Sequence, residues 1–310
     1  MNRTERTFAA LRGEAVDRPP VSFWRHLDPT RDAVEQHVAF YRETAVDFIK
    51  VMHDGLPMPF ESLEDALRLH TPTAYSRQAV ERVKRVADAL RGEAPVCLNV
   101  FSPFCLLRRL MPDETIGAMV RENPEKIIEA MARVGEELGR LCETLAKETD
   151  CFGIFLCYQG GEADRFDDET FHRVVRPSDR MVLDAANKAL RYNIMHVCGW
   201  DERKNVLERF VNYPSAAVNW ATYVDEVSLP QGKTLFERTV MGGFDNRRGT
   251  LLYTGSKEEI QREARRIVND YRAQNGSLNG LIVGADCSFL PPIDSERFRW
   301  VVEAVMEVTQ

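Results

Sequence analysis

Eight short apolar segments alternate with longer amphipathic segments along the chain, and this alternation restricts the fold more than any other feature of the sequence. The apolar segments are rich in β-branched and aromatic residues and lie between turn signals, at residues 19–24, 46–52, 94–101, 151–158, 192–198, 215–221, 235–243 and 279–285. Several are apolar at consecutive positions, as strands are when both faces of a parallel sheet are covered. Eight strands separated by helices predict an α/β protein, a single (β/α)8 TIM barrel over residues 1–310.

An open, doubly wound parallel sheet is the competing architecture. Its nucleotide-binding form has a G-x-G-x-x-G motif at the first strand-to-helix turn, and the chain has none there. Two helix boundaries are marked locally. Pro124 is expected to start a second helix within residues 113–148, and Ser256 to Glu259 form a capping box.

Charge and cysteine content restrict the partners and the compartment. A net charge of −7 and a pI near 5.6 argue against a nucleic-acid or anionic-membrane partner, because both require a basic surface. The N-terminal "MNRTERTFAALRGE" lacks the apolar core of a signal peptide, and no segment approaches the ~20 apolar residues of a membrane span. Seven cysteines without a CxxC pair do not resemble a disulfide framework. We expect a cytoplasmic protein with reduced thiols, and the oligomeric state stays open.

Polar residues and thiols collect where the predicted strands end. The active site of a TIM barrel lies at the carboxyl ends of its strands. In chain order, those ends contribute Trp24, Arg25 and His26, then His53 and Asp54, Ser102, Cys157, Tyr158 and Gln159, His196 and Cys198, Asn219 and Trp220, Asp245 and Asn246, and finally Asp286 and Cys287.

The stretch "NIMHVCGW" is the most specific of these ends. His196 and Cys198 are two residues apart, so both side chains point to the same face of a strand. With Cys287 they would supply three zinc ligands and leave one tetrahedral position open, as in catalytic zinc sites. The open position suits a substrate thiol, which zinc deprotonates at neutral pH. The alternative is a buried strand with two incidental polar groups, and Cys157 is either a spare ligand or a bystander.

Four residues are candidates for catalysis. His53 and Asp54 could act as an acid–base pair, although Asp in "HDG" is equally a turn residue. Tyr158 could face the ligand or simply pack. Asp245 could accept the second N–H of a metal-bound His196 or cap a turn.

Three residues are candidates for binding a cofactor or substrate. Arg25 could clamp an acidic group by bidentate hydrogen bonds or form a salt bridge at the barrel rim. Asn219 and Trp220 are expected to line the cavity wall. The remaining histidines in helical or loop stretches are expected at the surface, namely His37, His70 and His172.

Five segments resemble the uroporphyrinogen decarboxylase superfamily in the order in which they occur. They are "ERTFAALRGEAVDRPPVSFWRH", "APVCLNVFSPFCLL", "HVCGW", "GGFDNRRGTLLYTGSKEEIQREARRIV" and "GLIVGADCSFLPPID". The resemblance extends over nearly the whole chain and implies a (β/α)8 barrel.

Two branches of that superfamily imply different chemistry. The decarboxylases hold substrate carboxylates with two arginines and use an aspartate near the second strand. Here Arg25 matches the first arginine, the second is missing from "RHLDPTR", and Asp54 in "MHDGLP" is displaced. The zinc-dependent corrinoid:thiol methyltransferases, such as the methylcobamide:coenzyme M methyltransferases, are marked by His-x-Cys and a distant Cys, found here as His196, Cys198 and Cys287.

Resemblance to the second branch implies that zinc activates a small thiol, which accepts a methyl group from a methyl-corrinoid such as methylcobalamin. The corrinoid would be free or on a separate corrinoid protein. Three alternatives stay open: zinc-dependent alkyl transfer or C–S exchange without a corrinoid, decarboxylation of a polycarboxylate, and a non-enzymatic protein that binds metal or corrinoid. The sequence does not identify the thiol.

Overall fold

Seven parallel strands, hydrogen-bonded in chain order, form one curled sheet in the computed structural model, which describes residues 1–308. The strands are Ile49–Val51 (β1), Val96–Phe101 (β2), Gly153–Tyr158 (β3), Ile194–Val197 (β4), Ala217–Trp220 (β5), Thr239–Phe244 (β6) and Leu281–Ala285 (β7). Helices cover the outside of this sheet. The predicted α/β barrel architecture is confirmed, with seven regular strands among the described residues where eight were predicted.

The helices alternate with the strands as the sequence pattern indicates. They are Arg3–Leu11 (α1), Ala33–Thr44 (α2), Leu63–Leu67 (α3), Ala74–Leu90 (α4), Pro103–Arg108 (α5), Asp113–Glu122 (α6), Pro124–Glu148 (α7), Asp168–Thr170 (α8), Arg176–Ala189 (α9), Thr222–Asp225 (α10), Leu229–Phe236 (α11), Leu251–Thr254 (α12), Lys257–Asn275 (α13) and Ser295–Val308 (α14). A π-helical turn, Phe171–Val175, joins α8 to α9. None of the helices in residues 1–308 is long and apolar enough to cross a membrane.

Residues 19–24 do not form the regular first strand that the sequence predicts. Val21 of this segment makes a single bridge instead, to Val283 of β7. The amide of Ser22 donates to the Val283 carbonyl at 3.0 Å, and the amide of Asp47 donates to the Val21 carbonyl at 2.7 Å. The segment therefore lies between β7 and the residues before β1, where an eighth strand would close the barrel.

Missing and diverted N–H groups explain why this segment is not a strand. Pro19 and Pro20 have no N–H to give to a neighbouring strand. The next amide, of Val21, donates to the buried Asp47 carboxylate at 2.8 Å instead of to a carbonyl. Gly284 permits the segment to pass closely, since a β-carbon there would stand 2.8 Å from the Ser22 carbonyl oxygen.

The inside of the barrel is apolar at its amino-terminal end. Each strand or its margin contributes at least one side chain to this inner core, including Phe48, Cys97, Phe155, Ile194, Ala217, Met241 and Ile282. Helix α1 closes that end, because Ala10 and Leu11 join the same cluster and Thr239 donates a hydrogen bond to the Ala10 carbonyl. The carboxyl ends of the strands are thereby left as the open side of the barrel.

The local helix signals are confirmed, and one predicted strand overlaps the end of a helix. Pro124 begins α7, and Ser256 caps α13 with Glu259 in a reciprocal capping box. The predicted strand at 235–243 starts too early, because its first residues end α11, which a second capping box at Ser228 and Gln231 initiates.

His37 is buried in α2, whereas His70 and His172 are exposed as expected. The Nε2 atom of His37 accepts a hydrogen bond from the Met52 amide at 2.8 Å, and its Nδ1–H donates to the Ala33 carbonyl. Burial lowers the pKa of His37 to about 4. The expectation that this histidine lies at the surface is wrong, because it ties α2 to the end of β1.

Candidate metal site

The strand register places three predicted residues side by side on the inner face of the barrel. Cys157 of β3 pairs with His196 of β4, and His196 pairs with Asn219 of β5. Side chains alternate along a strand, so these three point inward together with Cys198, two residues beyond His196. Three neighbouring strands thus form one cluster from residues that span 62 positions of the sequence, from Cys157 to Asn219.

Asn219 orients His196 and fixes its tautomer. The Asn219 side-chain amide donates to the carbonyls of Met241 and Ala285, both at 2.9 Å, so its Oδ1 must face the other way. Oδ1 lies 2.6 Å from His196 Nδ1 and can only accept, which means that Nδ1 carries the hydrogen. The lone pair of the neutral ring is therefore on Nε2, which points toward the thiols.

The donor atoms around Nε2 fit a zinc ion. The Sγ atom of Cys287 lies 3.5 Å from His196 Nε2. Two ligands at zinc distances of about 2.0 Å (nitrogen) and 2.3 Å (sulfur) in a tetrahedral arrangement stand about 3.5 Å apart. The ligand atoms of Cys157, His196 and Cys198 also lie within 4.8 Å of one another. The structure brings His196, Cys198 and Cys287 together, and zinc binding by them stays a prediction.

The thiols of the cluster hold their protons tightly. A hydrogen bond with Cys198 and burial together raise the pKa of Cys287 to about 12. Contact with Cys157 and burial raise the pKa of Cys198 well above the ordinary thiol value, and contact with Cys105 and burial do the same for the pKa of Cys157. A metal must displace these protons, so metal binding here depends on pH.

A cavity of about 400 Å³ opens above the cluster at the carboxyl ends of the strands. Its described lining contains no aspartate or glutamate, but it contains three cationic side chains. The lining consists of His26, Lys50, His53, Asn99, Phe101, Arg108, Arg109, Cys157, Gln159, His196, Cys198, Cys287 and Ser288. An acid-free cavity with several cations favours a negatively charged occupant.

The three cations differ in their partners. Arg108 donates to Gln159 and forms a salt bridge with Asp113. Arg109 is exposed at the mouth, over the ring of Phe101 at 4.7 Å, and forms no salt bridge with a described residue. Lys50 is only 4% exposed and lies deep in the barrel.

His53 and Asp54 do not form the predicted acid–base pair with each other. Asp54 bonds to His26 Nδ1 at 2.7 Å; burial raises the pKa of Asp54, but this bond, the nearby charges of His26 and His53 and the Leu27 amide together lower it. His53 accepts from the Asn99 amide at 2.8 Å, and burial lowers its pKa to about 3. Asp54 pairs with His26 and not with His53, because His53 and Asp54 are consecutive residues at a strand end and project in different directions.

The sequence matches the family Uroporphyrinogen decarboxylase (URO-D) over residues 55–308. The chain belongs to the uroporphyrinogen decarboxylase family. No curated protein matches the chain. The matched range includes the predicted metal ligands, and it begins after Arg25 and Asp54.

Several solved structures share the fold of this uroporphyrinogen decarboxylase family member. A methyltransferase from Methanosarcina mazei superposes with a TM-score of 0.78 at 14% identity, covering 99% of each chain. A B12-independent methionine synthase from Shewanella sp. W3-18-1 gives a TM-score of 0.56 at 12% identity, covering 89% of this chain and 86% of that one. A GH5_18 protein from Streptomyces cattleya gives 0.54 at 15% identity, covering 93% and 80%. At these identities the likenesses establish the fold alone.

Two predicted site residues of this family member face away from the cavity. Tyr158 is fully buried between Phe210 and Tyr213 in the layer between sheet and helices. Trp220 packs against Phe236, and its Nε1–H donates to the Val227 carbonyl. The expectations for both are wrong for one reason, since each follows an inward-facing residue and strand alternation turns it outward.

Three other predicted site residues make contacts that differ from the proposed binding or catalytic role. Arg25 donates to the Ile293 carbonyl at 2.8 Å and does not line the cavity. Asp245 accepts from the amide and guanidinium of Arg247, as the turn interpretation expects, and His196 uses Asn219 instead. Asn219 is not part of the cavity lining.

Sequence reasoning missed Lys50, Arg109 and the pairing of His26 with Asp54. A signal for Lys50 was present, because it is the only basic residue inside the apolar run "VDFIKVM" and follows Phe48 at the inward-facing spacing. Arg109 follows α5 and has no comparable signal, because its position at the cavity depends on how that helix docks.

Proposed function

We propose that this protein is a zinc-dependent methyltransferase that activates a small thiol and transfers to it a methyl group from a methyl-corrinoid. His196, Cys198 and Cys287 hold the metal in this proposal. One observation supports it above the others: Nε2 of His196 has its lone pair free, lies 3.5 Å from the Cys287 sulfur, and sits at the floor of the cavity.

Zinc, when bound, lowers the pKa of a coordinated thiol and keeps the thiolate nucleophilic. The protein supplies the orientation. Asn219 keeps the imidazole in the metal-binding tautomer, and Phe155 packs beside the ring at 5.4 Å between centroids. A methyl-corrinoid would supply the methyl group for the new S–C bond, and both electrons of its broken Co–C bond would remain on cobalt.

The cavity suggests a thiol with an acidic group. Among the described residues, Arg109 lies at the mouth without a carboxylate partner, and none of those that line the cavity is acidic. A guanidinium in that position can form charge-assisted hydrogen bonds to a carboxylate, sulfonate or phosphate. We therefore place the acidic group of the thiol substrate at Arg109 and its sulfur at the metal.

Elemental analysis of the purified protein tests the metal site directly. We expect about one zinc per chain in the wild type, in keeping with one four-coordinate site, and loss of zinc in Cys287→Ala. Cys97→Ala is the matched control, because Cys97 is also buried inside the barrel but belongs to the apolar inner core. Zinc-free wild-type protein would contradict the proposal and favour a strand with two incidental polar groups.

Turnover is tested by mixing the zinc-loaded protein with methylcobalamin and a panel of thiols. A change in the corrinoid spectrum together with a methylated thiol supports the proposal. Methylation of the thiol from a donor other than a corrinoid would instead support zinc-dependent alkyl transfer. A methyl donor that is not a corrinoid is tested as well, because one structural neighbour is named as a B12-independent methionine synthase. Tight binding of metal or corrinoid without turnover would indicate an accessory protein.

Decarboxylation of a polycarboxylate is the second candidate, favoured by the family match and by the acid-free, cationic cavity. The cations would hold carboxylates, as in an anion-binding cavity generally. Carbon dioxide release that survives removal of zinc with a chelator would favour this reaction over methyl transfer.

A further inference from the structure

A fourth thiol lies within reach of the predicted metal site. Cys157 is 4% exposed and pairs in register with His196 on the neighbouring strand. Its sulfur belongs to the set, with His196 and Cys198, whose ligand atoms lie within 4.8 Å of one another. The Cys287 sulfur lies 3.5 Å from His196 Nε2, and Cys287 packs against the cluster that contains Cys157 and Cys198. Three cysteines and one histidine therefore line the same part of the cavity, and four is the number of donors in a closed tetrahedral zinc site.

Lys50 is the second observation, and it concerns charge. Its ammonium lies 4.3 Å from the centroid of the Trp24 ring and 3.9 Å from that of Phe155. It lines the same cavity as the thiols, and no carboxylate of the described residues pairs with it. A buried charge normally has a counter-charge, since burial removes its hydration. Two thiolates neutralise a divalent zinc, whereas three leave one negative charge for Lys50 to balance.

We propose that Cys157 is a fourth protein ligand of the resting metal, that the ligand set is Cys3His, and that Lys50 balances the third thiolate. This inference rests on the proposed function, because it presupposes zinc at His196. Cys157 is positioned for the role by the β3–β4 register, and Lys50 by the inward face of β1. The ligand set thereby combines side chains from β3, from the end of β4 and from the segment after β7.

A site closed by four protein ligands must release one to admit a substrate thiol. Cys157 is the ligand that leaves, because the buried thiol of Cys105 lies beside it and can bond to it once it is released from the metal. Cys157 takes up the proton that the incoming thiol loses, so one S–H bond forms as another breaks. The number of thiolates near Lys50 is the same before and after the exchange.

Zinc K-edge X-ray absorption on the zinc-loaded protein counts the sulfur ligands without relying on activity. We expect three sulfurs in the wild type and two in Cys157→Ser, with zinc retained in both. Cys105→Ser is the matched control, because Cys105 is an adjacent buried thiol outside the ligand set, and it should keep three. Adding 2-mercaptoethanol should leave the wild type at three and raise Cys157→Ser from two to three.

Each contrary result has a separate meaning. Two sulfurs in both the wild type and Cys157→Ser would overturn the Cys3His set while leaving the zinc proposal intact. Three sulfurs in Cys157→Ser would assign the third position to another thiol and likewise overturn it. Four sulfurs in the wild type after thiol addition would overturn the exchange. Zinc-free wild-type protein would refute the proposed function itself, on which this inference rests.

Lys50→Met tests the charge balance, since methionine keeps most of the side-chain volume and removes the charge. We expect this variant to lose the Cys157 ligand and show two sulfurs. A variant that keeps three sulfurs and the wild-type zinc affinity would overturn the role of Lys50 and indicate that it awaits an acidic group of the substrate.

Discussion

The substitution Asn219→Ala tests the geometry on which the metal site depends. It removes the acceptor 2.6 Å from His196 Nδ1 and both donors to the carbonyls of Met241 and Ala285, while leaving every proposed ligand in place. Loss of the group that orients a metal-bound histidine costs about 10- to 100-fold in metal affinity. That corresponds to about 1.4–2.7 kcal/mol of binding free energy.

The same substitution should destabilise the metal-free protein. Three buried polar groups lose a partner, each at about 1–3 kcal/mol. The lower end applies, because water can enter the space that the amide leaves and each carbonyl has a second lone pair. We therefore expect the free energy of unfolding to fall by about 3 kcal/mol.

Competition against a chromophoric zinc chelator at neutral pH measures the affinity, and urea unfolding of the apo-protein measures the stability. Asn99→Ala is the matched control, since Asn99 is also buried in the barrel but donates to His53 instead. The control should bind zinc like the wild type. Wild-type zinc affinity in Asn219→Ala would refute the reasoning, because His196 could not then bind metal through an Nε2 atom oriented by Asn219.

Three further predictions address other parts of the molecule. Because burial lowers the pKa of His37 to about 4, below the ordinary value of 6.5, this residue should account for about 3 kcal/mol of the stability that the wild type loses as the pH falls from 6.5 to 4, and His37→Gln should lose less by about that amount. Urea titrations at both pH values measure this, and equal losses would contradict it. Tyr158→Phe should leave kcat unchanged, since the Tyr158 hydroxyl is buried without a hydrogen-bond partner in the described structure; a tenfold loss would return it to the site. Arg109→Gln should raise KM about tenfold or more for an acidic thiol but not for 2-mercaptoethanol, and equal effects on both would refute the assignment.

The parts of the site that follow from spacing within one strand were predictable. His196 and Cys198 share a face because side chains alternate, and they point into the barrel as expected. The same rule, applied to the residue after each inward position, would have excluded Tyr158 and Trp220. Both residues lie at a strand end, but each follows an inward-facing residue and therefore faces the surrounding helices.

Pairings between distant segments were not predictable in this way. Asp54 takes His26 as its partner, although His53 is its neighbour in sequence. Arg25 turns to the Ile293 carbonyl, and Arg109 comes to the cavity mouth through the docking of α5. Each outcome depends on where two separate segments meet, which no local pattern encodes.

The sequence by itself determined the architecture, in which strands alternate with helices and the parallel strands are buried under those helices. It also determined that a histidine and a cysteine share one inward face of a strand. Hydrophobic periodicity decides these features, and it acts over a few neighbouring residues. Only the tertiary structure decided the neighbours. The register of β3, β4 and β5 aligns Cys157, His196 and Asn219, and closure of the barrel brings Cys287 to the same point. Register and closure depend on the packing of the whole sheet, so the site exists only once the barrel has formed.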